Sequence, residues 1–227
     1  SGGIDSAVTS ILAAKTKLPT ICIEMPIHQN KQQVNRGKNH IKWLKENFSN
    51  VSSINIELTS TFDKFVAKLP SKKNELALAN SRARLRMTTL YYFSQDNNSL
   101  VLGTGNKVED FGIGFFTKYG DGGVDLSPIA DLLKSEVYAL AKVLGVNDKI
   151  LNAPPTDGLW KDNKTDEDQI GASYTELEWA MNYKEDLSTL TKREKEVLHI
   201  YNNLNHLNQH KMKKIPVCKI PKELKIV

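Results

Sequence analysis

Ser1-Gly2-Gly3-Ile4-Asp5-Ser6 opens the chain and leads into the small and apolar residues of Ser6 to Ala14, a segment of helical character. A glycine pair at a helix start lets the backbone turn tightly and brings bare N–H groups close to an anion. The positive end of the helix strengthens that attraction, and the hydroxyls of Ser1 and Ser6 add donors. Asp5 is out of place beside phosphates unless a divalent cation lies between them, so it reads as a Mg2+ ligand. No lysine follows the glycines as in G-x-x-x-x-G-K-[ST], so this is not the loop that carries a lysine to a γ-phosphate. The bland alternative is a plain Ser-Gly-Gly turn.

Outward from that loop, strands and helices alternate. Leu18 to Met25 is an almost continuous apolar run, expected as a strand covered on both faces. Val34 to Phe48 is expected as a helix, Ser53 to Leu58 as a strand, and Thr61 to Leu69 and Glu75 to Phe93 as helices. Leu100 to Leu102 reads as a further buried strand. Pro128 to Leu144 is expected as a helix opened by Ser127 and stopped by Gly145. Thr165 and Asp168 form a capping-box pattern for a helix from Glu167 to Met181, and Lys192 to Asn208 is the last helix. The alternation implies an α/β fold, a Rossmann-like doubly wound parallel sheet with helices on both faces. In such sheets a ligand sits beyond the carboxyl ends of the strands, where Ser1–Ser6 and Gly103–Glu109 both lie. Residues 1–227 read as a single domain, and a strand with preceding helices is expected ahead of Ser1.

Bulk properties narrow the class. With 227 residues, 40% hydrophobic and 25% charged, the chain can bury a sizeable core. No run of about 18 apolar residues occurs, so no membrane partner is expected. Cys22 and Cys218 have neither metal-ligand nor C-x-x-C spacing, and a reduced, cytoplasmic setting is the default. A net charge of +5 suits nucleic acid or polyphosphate ligands alike. Interleaved surface aromatics and a recognition motif do not stand out, so no nucleic-acid partner is expected. Lys211, Lys213, Lys214, Lys219, Lys222 and Lys225 crowd the C-terminus as a solvated tail.

S-G-G-x-D-S resembles the signature of the N-type ATP pyrophosphatases, which cleave ATP between its α- and β-phosphates and adenylate an acceptor oxygen. Within that superfamily, Gly114-Phe115-Phe116-Thr117-Lys118-Tyr119-Gly120-Asp121-Gly122-Gly123 is similar to the NAD synthetase pattern nearly residue for residue. Ordering so glycine-rich a loop is costly without a ligand. Asn80 to Met87 resembles the family's arginine helix, Leu102 to Glu109 its strand-to-loop turn, and Ala153 to Thr156 its A-P-x-[TS] turn. The resemblance runs along the whole chain and implies an adenine nucleotide alpha hydrolase-like fold.

It also implies roles for individual residues. Ser1, Gly2, Gly3, Ile4, Asp5, Ser6, Thr104, Lys134 and Thr156 would bind ATP, with Asp5 and Lys134 at the chemistry and Asp5 and Glu109 on Mg2+. Arg84, Lys118, Asp125, His210 and Lys211 would bind the acid, deamido-NAD. Arg82 and Arg86 share one helical face and are open to phosphates or to the fold. Trp160 is read as core cover rather than a stacking partner. Two departures bear on loop shape: Gly105-Asn106 stands where an Asp-x pair is frequent, and one extra residue separates Glu109 from Lys118.

The implied reaction is attack of the acid's carboxylate on the α-phosphorus of ATP with loss of pyrophosphate. Ammonia then displaces AMP from the acyl-adenylate to give NAD. Such a step needs placement and neutralised charge rather than a strong base. A glutaminase would need a reactive thiol, and Cys22 in an apolar run is a poor one, so ammonia is the expected nitrogen donor. A homodimer is implied by resemblance only. The rivals are another N-type ATP pyrophosphatase amidating a different acid, and a non-catalytic nucleotide-binding module.

Overall fold

The structure is a computed structural model that describes residues 2–71, 74–156 and 165–225. Helix α1, Ile4–Lys15, starts at Gly3 and turns Ile4, Ala7, Val8, Ile11 and Ala14 inward, the spacing of an apolar helical stripe. Strand β1, Thr20–Glu24, follows, then α2, Lys31–Asn47, capped by Asn30, and strand β2, Val51–Asn55. The strands pair in parallel, Thr20 beside Val51 through Glu24 beside Asn55, so α2 is their crossover. All five residues of β1 are half-buried rather than buried, less covered than the apolar run implied.

Helix α3, Thr59–Ala67, and α4, Glu75–Asp96, lie after β2. Leu100 to Leu102 is no strand: it contributes one parallel bridge, Leu102 to Leu126, flanked by Gly103 donating to the Leu126 carbonyl at 2.7 Å. A seven-residue π-helix, Lys107–Ile113, comes next. The helix expected from Pro128 starts six residues later, as α5, Lys134–Val143. Its start is fixed by the Glu136 carboxylate, which accepts from the Leu133 N–H at 2.7 Å; residues 128–132 form turns instead. Helix α6, Asp148–Leu151, is a single turn.

The helix expected from Glu167 to Met181 is two: α7, Asp166–Ile170, with the anticipated Thr165/Asp168 capping box, and α8, Tyr174–Asn182, with its own Ser173/Glu176 box. Gly171 ends the first, and Ser173 restarts the chain in a new direction. Helix α9, Lys192–Met212, is capped by Thr191 with Glu194 and runs four residues past Asn208.

Three apolar clusters organise these elements. Residues of α1, α2, α5 and α6 close on Val51 of β2. Ile27, Leu58 and Phe62 join α3 to Leu78 and Leu85 of α4. The π-helix, α7, α8 and the first half of α9 form the third around Val108, Leu177 and Val197. Among the described residues no helix is long and apolar enough to cross a membrane.

Candidate active site

Three helix starts meet at one place: Gly3 before α1, Asn106 before the π-helix and Leu133 before α5. Each start presents the positive end of a helix dipole. Into this point project Asp5 from the first turn of α1, Glu109 from the π-helix and Lys134 from the first position of α5.

Lys134 is 3% exposed, and its Nζ donates to Asp5 Oδ2 at 2.7 Å and to Glu109 Oε1 at 2.9 Å. An ammonium at a helix N-terminus opposes the dipole, so its burial there depends on the two carboxylates. The second oxygen of Asp5 accepts from Asn106 Nδ2 at 3.1 Å. Tyr174 Oη donates to Glu109 Oε1 at 2.5 Å, and its ring lies 4.8 Å below the Lys134 ammonium. Asn106 is fully buried, and its Oδ1 accepts the Glu109 N–H at 3.1 Å, so one carboxamide aligns both acids.

Charge is unevenly shared. Burial and the neighbouring Glu109 push Asp5 above the usual carboxylate range, against the pull of Lys134. Burial alone would do the same to Glu109, but Lys134, the Tyr174 hydroxyl and Asn106 hold it below that range. The two carboxylates raise Lys134 in spite of its burial. Asp110, next along the π-helix, is pushed up to about 8 by burial and by Glu109, Asp121 and Asp5. Its carboxylate lies against Gly105, where a Cβ would have to displace it.

Of the residues expected on ATP, Asp5 and Lys134 meet here, and the others take the following places. Gly2 offers its carbonyl to Arg36 Nε at 3.2 Å, which fixes the loop before α1. Ser6 Oγ donates to the Gly3 carbonyl at 3.0 Å. Thr104 is exposed on the turn after Gly103. Thr156 follows Pro155, whose carbonyl accepts from Asp166 N at 3.0 Å, and Asp166 lies 3.4 Å from Tyr174 Oη. Ser1 and Trp160 lie outside the described residues.

The residues expected on the acid surround the glycine loop. Arg84 Nε donates to the Lys118 carbonyl at 3.2 Å, and Lys118 Nζ donates to the carbonyl of His210. Lys211 Nζ donates to the carbonyls of Gly114 and Phe116 at 2.8 and 2.9 Å, so it braces the loop. Asp125 accepts from Tyr91 Oη at 2.9 Å and from the Val101 N–H at 2.8 Å, which ties it to the chain ahead of the Gly103 turn. Arg86 serves the fold: it is bonded to the Met25 carbonyl at 3.0 Å and to Gln29 Oε1 at 2.9 Å, and burial lowers it to about 10. Arg82 stacks 5.5 Å above the Phe62 ring.

Asn106, Tyr174 and Asp110 were not singled out from sequence. Asn106 carried a usable signal, an N-cap residue three positions before Glu109. Tyr174 carried none, because it reaches Glu109 from a helix 65 residues away.

A parallel α/β frame, a glycine-rich helix start and an ammonium clasped by two acids define an adenine nucleotide alpha hydrolase-like domain, built to receive a polyphosphate. The comparison with known proteins makes this particular. Residues 1–216 match the model of the NAD synthase family, and the chain belongs to that family of ATP-dependent ligases. It is 39% identical to the NH(3)-dependent NAD(+) synthetase of Syntrophomonas wolfei, over 99% of this chain and 88% of the relative. The Mesoplasma florum NH(3)-dependent NAD(+) synthetase is 42% identical over 78% and 72% respectively. Among solved structures, NMN synthetase from Francisella tularensis superposes with a TM-score of 0.86 at 34% identity, over 97% of this chain and 87% of that one. NH3-dependent NAD synthetase from Campylobacter jejuni gives 0.76 at 30% identity, over 96% and 87%.

Proposed function

We propose that the chain adenylates deamido-NAD with ATP, releases pyrophosphate, and amidates the acyl-adenylate with ammonia to give NAD and AMP. The observation that carries this reading is the convergence of Asp5, Glu109 and Lys134 where three helices start. A carboxylate oxygen attacks the α-phosphorus, and the bond to the β-phosphate bridging oxygen breaks. Ammonia then adds to the carbonyl carbon, the AMP oxygen leaves, and one proton goes to solvent. The acid and ATP are both anionic, so the site must supply positive charge before they meet. Loop amides before α1, the N-termini of α5 and the π-helix, and Lys134 supply it.

Mg2+ fits this site, because Asp5 and Glu109 already aim one oxygen each at a single cation, the Lys134 ammonium. Two carboxylates leave most of an octahedral shell to phosphate and water, which is how Mg2+ is commonly held. When bound, it would neutralise charge on the departing pyrophosphate. Ser1, Gly2, Gly3, Ile4, Ser6, Thr104 and Thr156 are assigned to ATP, and Arg84, Lys118, Asp125, His210 and Lys211 to the acid. The family resemblance further supports one catalytic domain, a homodimer and a cytoplasmic setting.

A second reading has its own support: the Francisella tularensis structure named an NMN synthetase superposes well. On that reading the activated acid is nicotinic acid mononucleotide. The test supplies ATP, Mg2+ and ammonium with each acid in turn and measures AMP, pyrophosphate and the amidated product. AMP with NAD from the dinucleotide supports the first reading, and turnover of the mononucleotide alone moves it to the second. ADP formation, or no AMP with either acid, overturns both. Asp5→Asn should abolish most AMP formation with the fold intact, and unchanged turnover would remove Asp5 from the metal site.

A further inference from the structure

We infer that the second half of α9 positions the acid-binding loop, through Asn205 and Asn208. The first half of α9 packs by apolar side chains, Val197, Leu198, Tyr201 and Leu204, into the cluster with α8 and the π-helix. Beyond Leu204 the inward stripe changes character: the less exposed positions become Asn205, Asn208, Gln209 and Lys211, with Met212 at the helix end, while Leu207 is 60% exposed to solvent. Four polar side chains on the inward stripe bury little apolar area. Its partners are backbone carbonyls.

The π-helix ends at Ile113 with carbonyls that no following turn can satisfy. Asn205 Nδ2 donates to the Gly112 carbonyl at 2.6 Å, and Asn208 Nδ2 to the Ile113 carbonyl at 2.8 Å. Lys211 Nζ completes the series on Gly114 and Phe116. Donors three residues apart along α9 thus take successive carbonyls of the segment that leads to Lys118. Gln209 Nε2 donates to Asn205 Oδ1 at 2.6 Å, which turns the Asn205 amide so that its N–H side faces the loop.

Gly114 shows how close the two segments run. Its φ is +65°, and a Cβ there would overlap Asn208. On the loop's other side α4 holds it, Thr117 Oγ1 donating to Asn80 Oδ1 at 2.7 Å and Arg84 to the Lys118 carbonyl. The loop is therefore gripped between α4 and α9, and Asn205 and Asn208 set the α9 side. They are positioning residues, since their bonds end on the loop backbone.

The inference rests on the assignment of this loop to the acid, and the test separates the two. Asn208→Asp keeps the shape, removes the donor and turns a carboxylate toward the Ile113 carbonyl. It should raise KM for the acid by about tenfold or more and leave KM for ATP within about twofold, because a misplaced loop harms only the ligand it touches. Amide hydrogen exchange over 114–123 should quicken while α1 and β1 stay at wild-type rates. Asn208→Gln, which keeps the donor, should recover most of the KM change; Asn205→Asp is the independent repeat. Wild-type exchange and wild-type acid KM in both Asp variants, or equal rises in the KM of ATP and acid, overturn the inference. A wild-type enzyme that amidates neither acid overturns the functional reading instead, and faster loop exchange in Asn208→Asp still upholds the α9 grip.

Discussion

Lys134→Met tests the centre of the site. Methionine keeps the length and the apolar stem but removes the charge that Asp5 and Glu109 share. Their side chains are 19% and 15% exposed, so water screens them poorly, and the remaining donors are the Asn106 amide and the Tyr174 hydroxyl. Removing one partner from a buried ion pair costs about 3–5 kcal/mol. For a domain of this size, that is a fall in Tm on the order of 10 °C. The sign with pH follows from the acids. Without the ammonium both carboxylates shift upward, and a raised acid costs stability above its ordinary range and recovers it as pH falls. The deficit in EDTA should therefore be larger at pH 8 than at pH 5, read by thermal unfolding of both proteins. Adding Mg2+ should then stabilise the variant more than the wild type, because the pair is no longer held by the lysine. Turnover should drop by about 1000-fold, as when a donor to developing charge is lost. A metal-free variant within about 1 kcal/mol of wild type, or a deficit that does not change with pH, would refute the reasoning.

Tyr174→Phe leaves the ring under Lys134 and removes only the hydroxyl on Glu109, a bond to a charged group worth about 2 kcal/mol. Chemical denaturation should show a loss of that order, with a higher Mg2+ requirement in the AMP assay; a silent variant would take Tyr174 out of the network. His40 is 9% exposed, and burial lowers it to about 4, with its Nε2 2.9 Å from Ser10 Oγ. It is neutral in the fold, so the unfolded chain binds its proton first and stability falls between pH 6.5 and 4 by up to about 3 kcal/mol. Denaturant midpoints for His40→Gln should fall less steeply across that window than wild-type ones, and parallel curves would contradict the assignment. Gly114→Ala meets both a left-handed backbone and Asn208, and should cost about 1–3 kcal/mol in thermal unfolding. Wild-type stability there would show that the loop can move off α9.

The sequence showed the parts of this site whose chemistry is local. Ser1 to Ser6 could be read because a glycine pair, an acid and a helix start lie within six residues, and each has a physical meaning alone. Thr165 with Asp168 could be read for the same reason, since both halves of a capping box lie one turn apart. Pro128 misled, because proline suits a first helical turn, yet the Glu136 carboxylate on the Leu133 N–H sets the true start. Leu100 to Leu102 misled in another way: an apolar run states burial preference, not pairing, and only Leu102 finds a bridge.

What stayed hidden is the part that depends on distance in the fold, and the π-helix Lys107–Ile113 shows why it matters. A π-helix closes i→i+5 hydrogen bonds and so turns its side chains at a different pitch from an α-helix. The segment Lys107–Ile113 is such a helix. It keeps Glu109 on Lys134 while setting Asp110 over Gly105, and it delivers the carbonyls of Gly112 and Ile113 to α9. The first turn of this helix thus carries Glu109 onto Lys134, and its last turn hands the glycine loop to Asn205 and Asn208. Removing one residue from the π-helix should therefore disturb acid binding and metal binding together, whereas Asn208→Asp separates them.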